Sequence, residues 1–390
     1  MTNSGVEEIL DSVRSIVPRL RENGNEAEDR RWIPDENIEL LQKAGVFRIA
    51  TPRRFGGLDL SLEDKCKVLA EIARGCPSTG WVAMVWVSNG WIAGLASDQA
   101  QEEIYTSDSV RISGGFTPTG SLTPTEGGFL LNGNWRFNSG CRGAGWNLAA
   151  AILETPDGGH EEVVAAVPMA EFTIADDWNT SAAAGTGSST STAKDVFVPA
   201  HRVVSLGEAL YGGNPDRHNA GATGRNYGLI SLVMAECAAT FIGMAQGAYE
   251  LFLERVPNKP IAYTSYTDQR QHPVAQVQVA QAANKITASR EMAAAWLRLM
   301  QERADTGELL THEEKAVVRG QTSYAIQLAK EAIEELYTAS GASAIQRSVP
   351  IQRFFRDSQG FSLHGLLALQ TNLEVQGRVL FGLDPETPFL

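Results

Sequence analysis

Near the C-terminal end the sequence reads RDSQGFSLHG (residues 356–365). It holds one imidazole, His364, with no other titratable side chain after Asp357. Histidine is the side chain whose ordinary pKa lies nearest neutral pH, so it can give or take a proton there. The alternative is a histidine whose hydrogen bonds the fold itself satisfies. A second candidate is NGNWRFNSGC (132–141). Trp135 and Phe137 could offer aromatic faces there, and Ser139 a hydroxyl within an Asn-Ser-Gly turn. A planar heterocycle needs that kind of stacking surface with a few placed hydrogen bonds. A plain hairpin that happens to carry aromatics would read the same way.

Other patterns carry no chemistry. GAGWNLA (143–149) matches a dinucleotide glycine pattern, but it runs into a strand where the fingerprint needs a helix. STAK (191–194) matches Ser-x-x-Lys and runs straight into DVFVP. The six histidines have no metal-ligand spacing, and Cys66, Cys76, Cys141 and Cys237 form no Cys-x-x-Cys pair, so no metal is expected. The cysteines read as reduced packing thiols of a cytoplasmic protein. A net charge of −13 leaves no basic stripe for nucleic acid. The N-terminal MTNSGVEEILDSV lacks a leader pattern, and GWVAMVWVSNGWIAGLA (80–96) is too short to span a membrane and carries Asn89.

The elements that must position these residues follow from periodicity. VEEILDSVRSIVPRL places apolar residues on one helical stripe, Pro34 opens a helix that Gly45 closes, and Ser61 with Asp64 resembles a capping box. GWVAMVWVSNGWIAGLA is apolar almost all round, as a buried helix is. From about 110 to 205 the chain turns to Gly, Thr, Ser and β-branched residues. Asn132-Gly133 between extended runs signals a hairpin, and NLAAAIL, EEVVAAVPM and AKDVFVP read as strands. Beyond the connector GGNPDRHNAGATGRN, four long helical patterns suggest an antiparallel bundle.

The helix–β–helix order, NGNWRFNSG, KDVFVPAHRVV and the terminal RDSQGFSLHG together resemble the acyl-CoA dehydrogenase superfamily over essentially the whole chain. The resemblance implies a fold that is mainly α with a central β domain. An N-terminal helical domain (1–110) would precede a middle β barrel or sandwich (111–215) and a C-terminal four-helix bundle (216–390). It also implies a flavin against the β-domain turn, with Phe137 as the aromatic neighbour and Ser139 as the partner of flavin N5. Trp135, Asn138, Gly140 and Arg270 complete the cofactor-binding candidates.

Two departures choose a branch. Where many dehydrogenases of the superfamily carry Tyr-Glu-Gly, with the glutamate as base, this chain has SLHG. The diphosphate signature is replaced by QRQHPVAQVQ, and a Gly-Gly pair by TASGASAI, which points away from permanently held FAD. Both features resemble the flavin-dependent monooxygenases of this fold, the oxygenase components of two-component systems. The resemblance implies reduced FAD or FMN (FAD preferred) delivered by a separate flavin reductase, and reaction with O2 through a C4a-hydroperoxyflavin. The expected outcome is hydroxylation of an aromatic or polycyclic small molecule. It makes His364 and Ser139 the catalytic pair and Trp86, Asn89 and Trp91 the substrate-binding candidates. Asn89 stands where phenol hydroxylases of the branch often carry histidine. A homotetramer through the C-terminal bundles is expected. An acyl-CoA dehydrogenase with His364 as base, an N- or S-oxygenase, and a non-catalytic flavin-binding relative remain as alternatives.

Overall fold

A computed structural model describes residues 3–107, 109–155, 158–207, 225–387 and 389–390. Six helices come first: α1 (Asn3–Glu22), α2 (Gly24–Arg30), α3 (Asp35–Lys43), α4 (Leu62–Gly75), α5 (Pro77–Ile92) and α6 (Asp98–Ile104). The stripe of α1 is the buried one, with Ile9, Leu10, Val13, Val17 and Leu20 all inside. Ser61 caps α4: its Oγ accepts from the Asp64 N–H at 3.2 Å and donates to Asp64 Oδ2 at 2.8 Å. Helix α5 is buried at every position except Val85, as its lack of a polar face requires.

The β part is one seven-stranded mixed sheet, ordered β5-β6-β2-β1-β3-β4-β7. Its strands are β1 (Ile112–Thr125), β2 (Gly128–Trp135), β3 (Trp146–Glu154), β4 (His160–Pro168), β5 (Thr173–Ile174), β6 (Ser191–Pro199) and β7 (Val203–Ser205). The hairpin is not at Asn132-Gly133. Both lie inside β2, and the reversal between β1 and β2 falls at Glu126-Gly127, where Gly127 takes φ 77°. Gly133 has a different purpose. A Cβ there would come within 2.6 Å of the Gly120 Cα and 2.9 Å of the Trp135 ring. The glycine pair opens room for that indole between adjacent strands.

Five helices follow: α7 (Leu229–Arg255), α8 (Pro273–Thr306), α9 (His312–Ala339), α10 (Ile351–Phe361) and α11 (Leu369–Leu380). Thr311 and Glu314 form a complete capping box on α9. Helix α7 is, by length and composition, apolar enough to cross a membrane. In the fold 89% of its apolar window is buried, against α4, α8 and α9. Because α4 and α5 pack on α7, the N-terminal helices and the bundle share one continuous hydrophobic core, while the sheet holds a second around Leu131, Trp135 and Val167. The last N-terminal helix ends at Ile104 and the first strand begins at Ile112. Residues 208–224, where the second division was placed, lie outside the described residues. Helix α10 packs on α5, α7 and α9, which brings the segment after it to the side of α5.

Candidate active site

The site is built on the turn that leaves β2. Phe137 adopts φ 57° and Gly140 φ 77°, so the chain passes twice through the left-handed region within four residues. A phenylalanine there is uncommon, and such strain gathers at functional sites. Its ring is 67% exposed and meets Trp178 edge-on at 5.9 Å. Gly140 is required twice over. Its φ suits glycine, and a Cβ would come within 2.6 Å of Trp86 Nε1, whose N–H donates to the Gly140 carbonyl at 3.2 Å.

Three of the expected contact residues turn out to serve this turn from within. Trp135 is 1% exposed, donates to the Ala150 carbonyl at 2.8 Å and meets Phe172 edge-on. It fills the sheet core and offers no face to a cofactor, because a residue two positions before Phe137 still belongs to the strand. Asn138 is wholly buried and its Nδ2 donates to Asn147 Oδ1 and Ser191 Oγ, both at 2.9 Å, so it braces the turn rather than contacting a ligand. Trp86 is enclosed by Trp32 and Phe47 under Gly140 and is a strut, not a substrate wall.

Ser139 lies at the rim, 9% exposed. Its Oγ accepts from Trp81 Nε1–H at 3.2 Å and sits 2.7 Å from Ser188 Oγ, which in turn lies 2.7 Å from Thr186 Oγ1. The Trp81 indole stacks on Phe361 at 4.2 Å with the planes 3° apart, and its centre is 6.2 Å from that of the His364 ring. The two catalytic candidates, 225 residues apart, are thus both neighbours of one tryptophan. His364 Nδ1 accepts from the Leu366 N–H at 3.2 Å. That bond assigns the ring proton to Nε2 and leaves Nε2–H free to donate. The residue is open to solvent in the single chain, yet protein crowds the imidazole on its other sides, and this desolvation lowers its pKa. A neutral ring at neutral pH follows. Leu363 beside it is 84% exposed.

Beneath this cluster Asp357 is buried in α10. Its Oδ1 accepts from the Ala183 N–H at 2.7 Å and its Oδ2 from Ser78 Oγ at 3.1 Å. Burial pushes its pKa up to about 6, against the pull of those hydrogen bonds and of Arg353 and Arg356. It ties the 183–188 loop to both α5 and α10.

The other candidates scatter. Asn89 is buried two turns along α5 from Trp81, about 12 Å at the helical rise, facing β1 at Gly114. Its amide makes no hydrogen bond among the described residues. Trp91 donates to the Arg225 carbonyl at 3.1 Å, and its ring lies 5.9 Å from the Lys65 ammonium. Lys65 is paired with Glu236 at 3.0 Å, both fully buried, and Ser88 donates to the other Glu236 oxygen. Arg270 is on an exposed turn before α8 and grips its neighbour Asp268. No hydrogen bond, ion pair or ring contact among the described residues joins it to Ser139 or His364. A cleft of about 400 Å³ is lined by Glu39, Lys43, Phe47 and Arg48, and none of Ser139, Trp81 or His364 is among its lining residues. No metal-ligating group of His, Cys, Asp or Glu occurs among the described residues, and all four cysteines are free and buried.

Residues 4–107 match the N-terminal domain of acyl-CoA dehydrogenases, and residues 235–368 match their C-terminal domain. The oxygenase subunit HsaA of the flavin-dependent monooxygenase from Rhodococcus jostii (strain RHA1) is 33% identical over 95% of this chain and 97% of its own length. The chain belongs to the acyl-CoA dehydrogenase family. Within that family it is a flavin-dependent monooxygenase. The crystal structure of 3-HSA hydroxylase from Rhodococcus sp. RHA1 superposes with a TM-score of 0.92 at 30% identity, over 98% of this chain and 99% of that one. XiaF from Streptomyces sp., solved with FADH2 and glycerol, gives 0.90 at 26% identity over 99% and 98%.

Against this family background, sequence reasoning missed Ser188, Thr186 and Asp357. The signal for the first two was GTGSST (185–190), a run of small hydroxyl residues. Buried hydroxyls need partners, but nothing local names Ser139, 49 residues earlier, as that partner.

Proposed function

We infer that this protein is the oxygenase component of a two-component system. It takes reduced flavin from a separate reductase and, with O2, hydroxylates an aromatic or polycyclic small molecule. The observation that carries the reading is the meeting of Ser139 and His364 on Trp81. Bound reduced flavin supplies the electrons that activate O2; the rest is the work of this chain.

The residues fit such a guest. Ser139 Oγ has a lone pair left after its bonds to Trp81 and Ser188, suited to the N5 edge of the ring system. Phe137 is the aromatic neighbour, exposed on a turn that Asn138 and Gly140 hold rigid. His364 donates from Nε2 to an oxygen atom of the reacting group and helps to move its proton. Leu363, exposed beside the buried Trp81–Phe361 stack, supplies apolar surface that would keep water from the reacting atoms once a guest covers it. Asn89, buried about two turns along α5 from Trp81, would meet only a substrate that reaches along that helix, and Trp91 is engaged with the Arg225 carbonyl instead. A neutral amide cannot deprotonate a phenol, so Asn89 orients rather than activates.

FAD over FMN accords with the FADH2 in the related XiaF. A homotetramer accords with exposed Leu373, Leu380 and Phe381 on and after α11. Such an assembly would be needed for Arg270 to reach a flavin, as a ligand of the neighbouring subunit's cofactor. A cytoplasmic setting accords with the four free thiols.

The test supplies chemically reduced FAD or FMN, then ¹⁸O2, with a panel of phenols and polycyclic aromatics. The expected result is a product carrying one labelled oxygen atom. Dye reduction by acyl-CoA with no labelled product from any aromatic would overturn the reading.

A further inference from the structure

The hydroxyl row behind Ser139 has a fixed polarity. Each hydroxyl has one proton to give. Thr186 Oγ1 lies 2.8 Å from the Ala183 carbonyl oxygen. A carbonyl only accepts, and two oxygens that close with no proton between them would set lone pair against lone pair. The Thr186 proton is therefore committed to Ala183. The 2.7 Å contact between Thr186 and Ser188 then needs the Ser188 proton, and the 2.7 Å contact between Ser188 and Ser139 needs the Ser139 proton. At the far end Trp81 Nε1–H can only donate, so Ser139 Oγ accepts from it. All three hydroxyl residues are buried, at 9% exposure or less, so solvent does not scramble the order. Ser139 is left with no proton to offer outward and one lone pair to present.

We propose that Thr186 and Ser188 select the redox state of the cofactor, by holding Ser139 as a pure acceptor toward it. Reduced flavin carries a proton on N5 and donates there; oxidised flavin has a bare N5 that only accepts. An acceptor facing N5–H makes a hydrogen bond, and an acceptor facing a bare N5 makes a repulsive contact. A carrier that must take reduced flavin from a reductase and let the oxidised form leave gains its direction from that mismatch. Thr186 and Ser188 are positioning residues, acting only through Ser139. The proposal rests on the flavin reading above, and its test separates the two.

Affinity for oxidised and for anaerobically reduced flavin is measured by titration of the full chain and of Thr186→Val, Ser188→Ala and Ser139→Ala, with circular dichroism to confirm folding. In Thr186→Val the Ser188 proton turns to Ser139, and in Ser188→Ala the Ser139 proton loses its acceptor. Either change frees Ser139 to donate outward. Both variants should bind oxidised flavin at least about fivefold more tightly, with little change for reduced flavin. Ser139→Ala should weaken reduced flavin and, with the repulsive contact gone, tighten the oxidised form. If the wild type binds flavin but the ratio of the two affinities is unchanged in both relay variants, or both forms weaken together, the relay does not set polarity and the proposal fails alone. If the wild type binds neither form, the functional reading falls and the proposal falls with it.

Discussion

The two halves of the site are held in different ways. Ser139 sits on a turn fixed by Asn138, Gly140 and Trp86, and its hydroxyl is engaged by two neighbours. His364 follows the end of α10 in an exposed segment, and its ring has one hydrogen bond, from its own near neighbour Leu366. The serine side is preorganised and has no freedom of direction. The histidine side keeps a free donor and room to adjust. That division suits a reaction in which one edge of a planar guest must be located and a group on its other side must gain a proton. It also says where substitutions act: through geometry near Ser139, through chemistry at His364.

The largest effect should come from the loosely held side. His364→Asn keeps one donor and removes the titrating ring, and general acid–base help of this kind is worth on the order of 10²-fold or more. Hydroxylation should fall by about that factor while the melting temperature barely moves, since the side chain is exposed. Loss of wild-type activity on acidification should set in below the ordinary imidazole range, because desolvation lowers the His364 pKa. Protonation of Nδ1 would then break the Leu366 bond. A variant that hydroxylates normally but melts several degrees lower would invert the comparison.

Next in size, Gly140→Ala strikes the rigid side. Its left-handed φ and the 2.6 Å approach to Trp86 Nε1 should together cost about 2–3 kcal/mol of stability, read by denaturant unfolding. Reduced-flavin affinity should fall with it, because the whole turn shifts. Ser139→Ala should be milder. Loss of one hydrogen bond to the guest, about 1 kcal/mol, should raise release of hydrogen peroxide relative to hydroxylated product by roughly five- to tenfold, while the buried Trp81 N–H left unpartnered should cost about 1 kcal/mol of stability. The smallest effect lies beneath. The Asp357 carboxyl has a folded pKa of about 6 against an ordinary 3.8, so the fold favours its protonated form. Stability from this group is full below about pH 4 and is lost as pH rises through 6. Asp357→Asn should flatten that part of the melting profile, by on the order of 2 °C.

Ser139 and His364 could be singled out as candidates because each stands in a short segment whose residue types are unusual for its surroundings, and their proposed roles came from the family resemblance of those segments. Helices α1, α4 and α5 were legible because periodicity and caps are local. Asn132-Gly133 misled because a glycine kept for close strand approach spells the same dipeptide as one kept for a turn. Trp135 misled because spacing alone does not say where a strand stops, and one residue changes which face a ring takes. The relay through Ser188 and Thr186 and the tie from Asp357 to Ala183 were not legible. They join segments 49 and 174 residues apart, and hydrogen-bond partners chosen by the fold leave no trace in either segment alone.

The central claim is that the Ser139–Trp81–His364 cluster receives reduced flavin and governs its reaction with oxygen. Protein preloaded with one equivalent of reduced flavin can be mixed rapidly with O2 while the return of oxidised-flavin absorbance is followed. The account predicts a return that lags well behind that of free reduced flavin, with the lag shortened in Ser139→Ala. Reoxidation at the rate of free flavin, the same in wild type and variant, would contradict it.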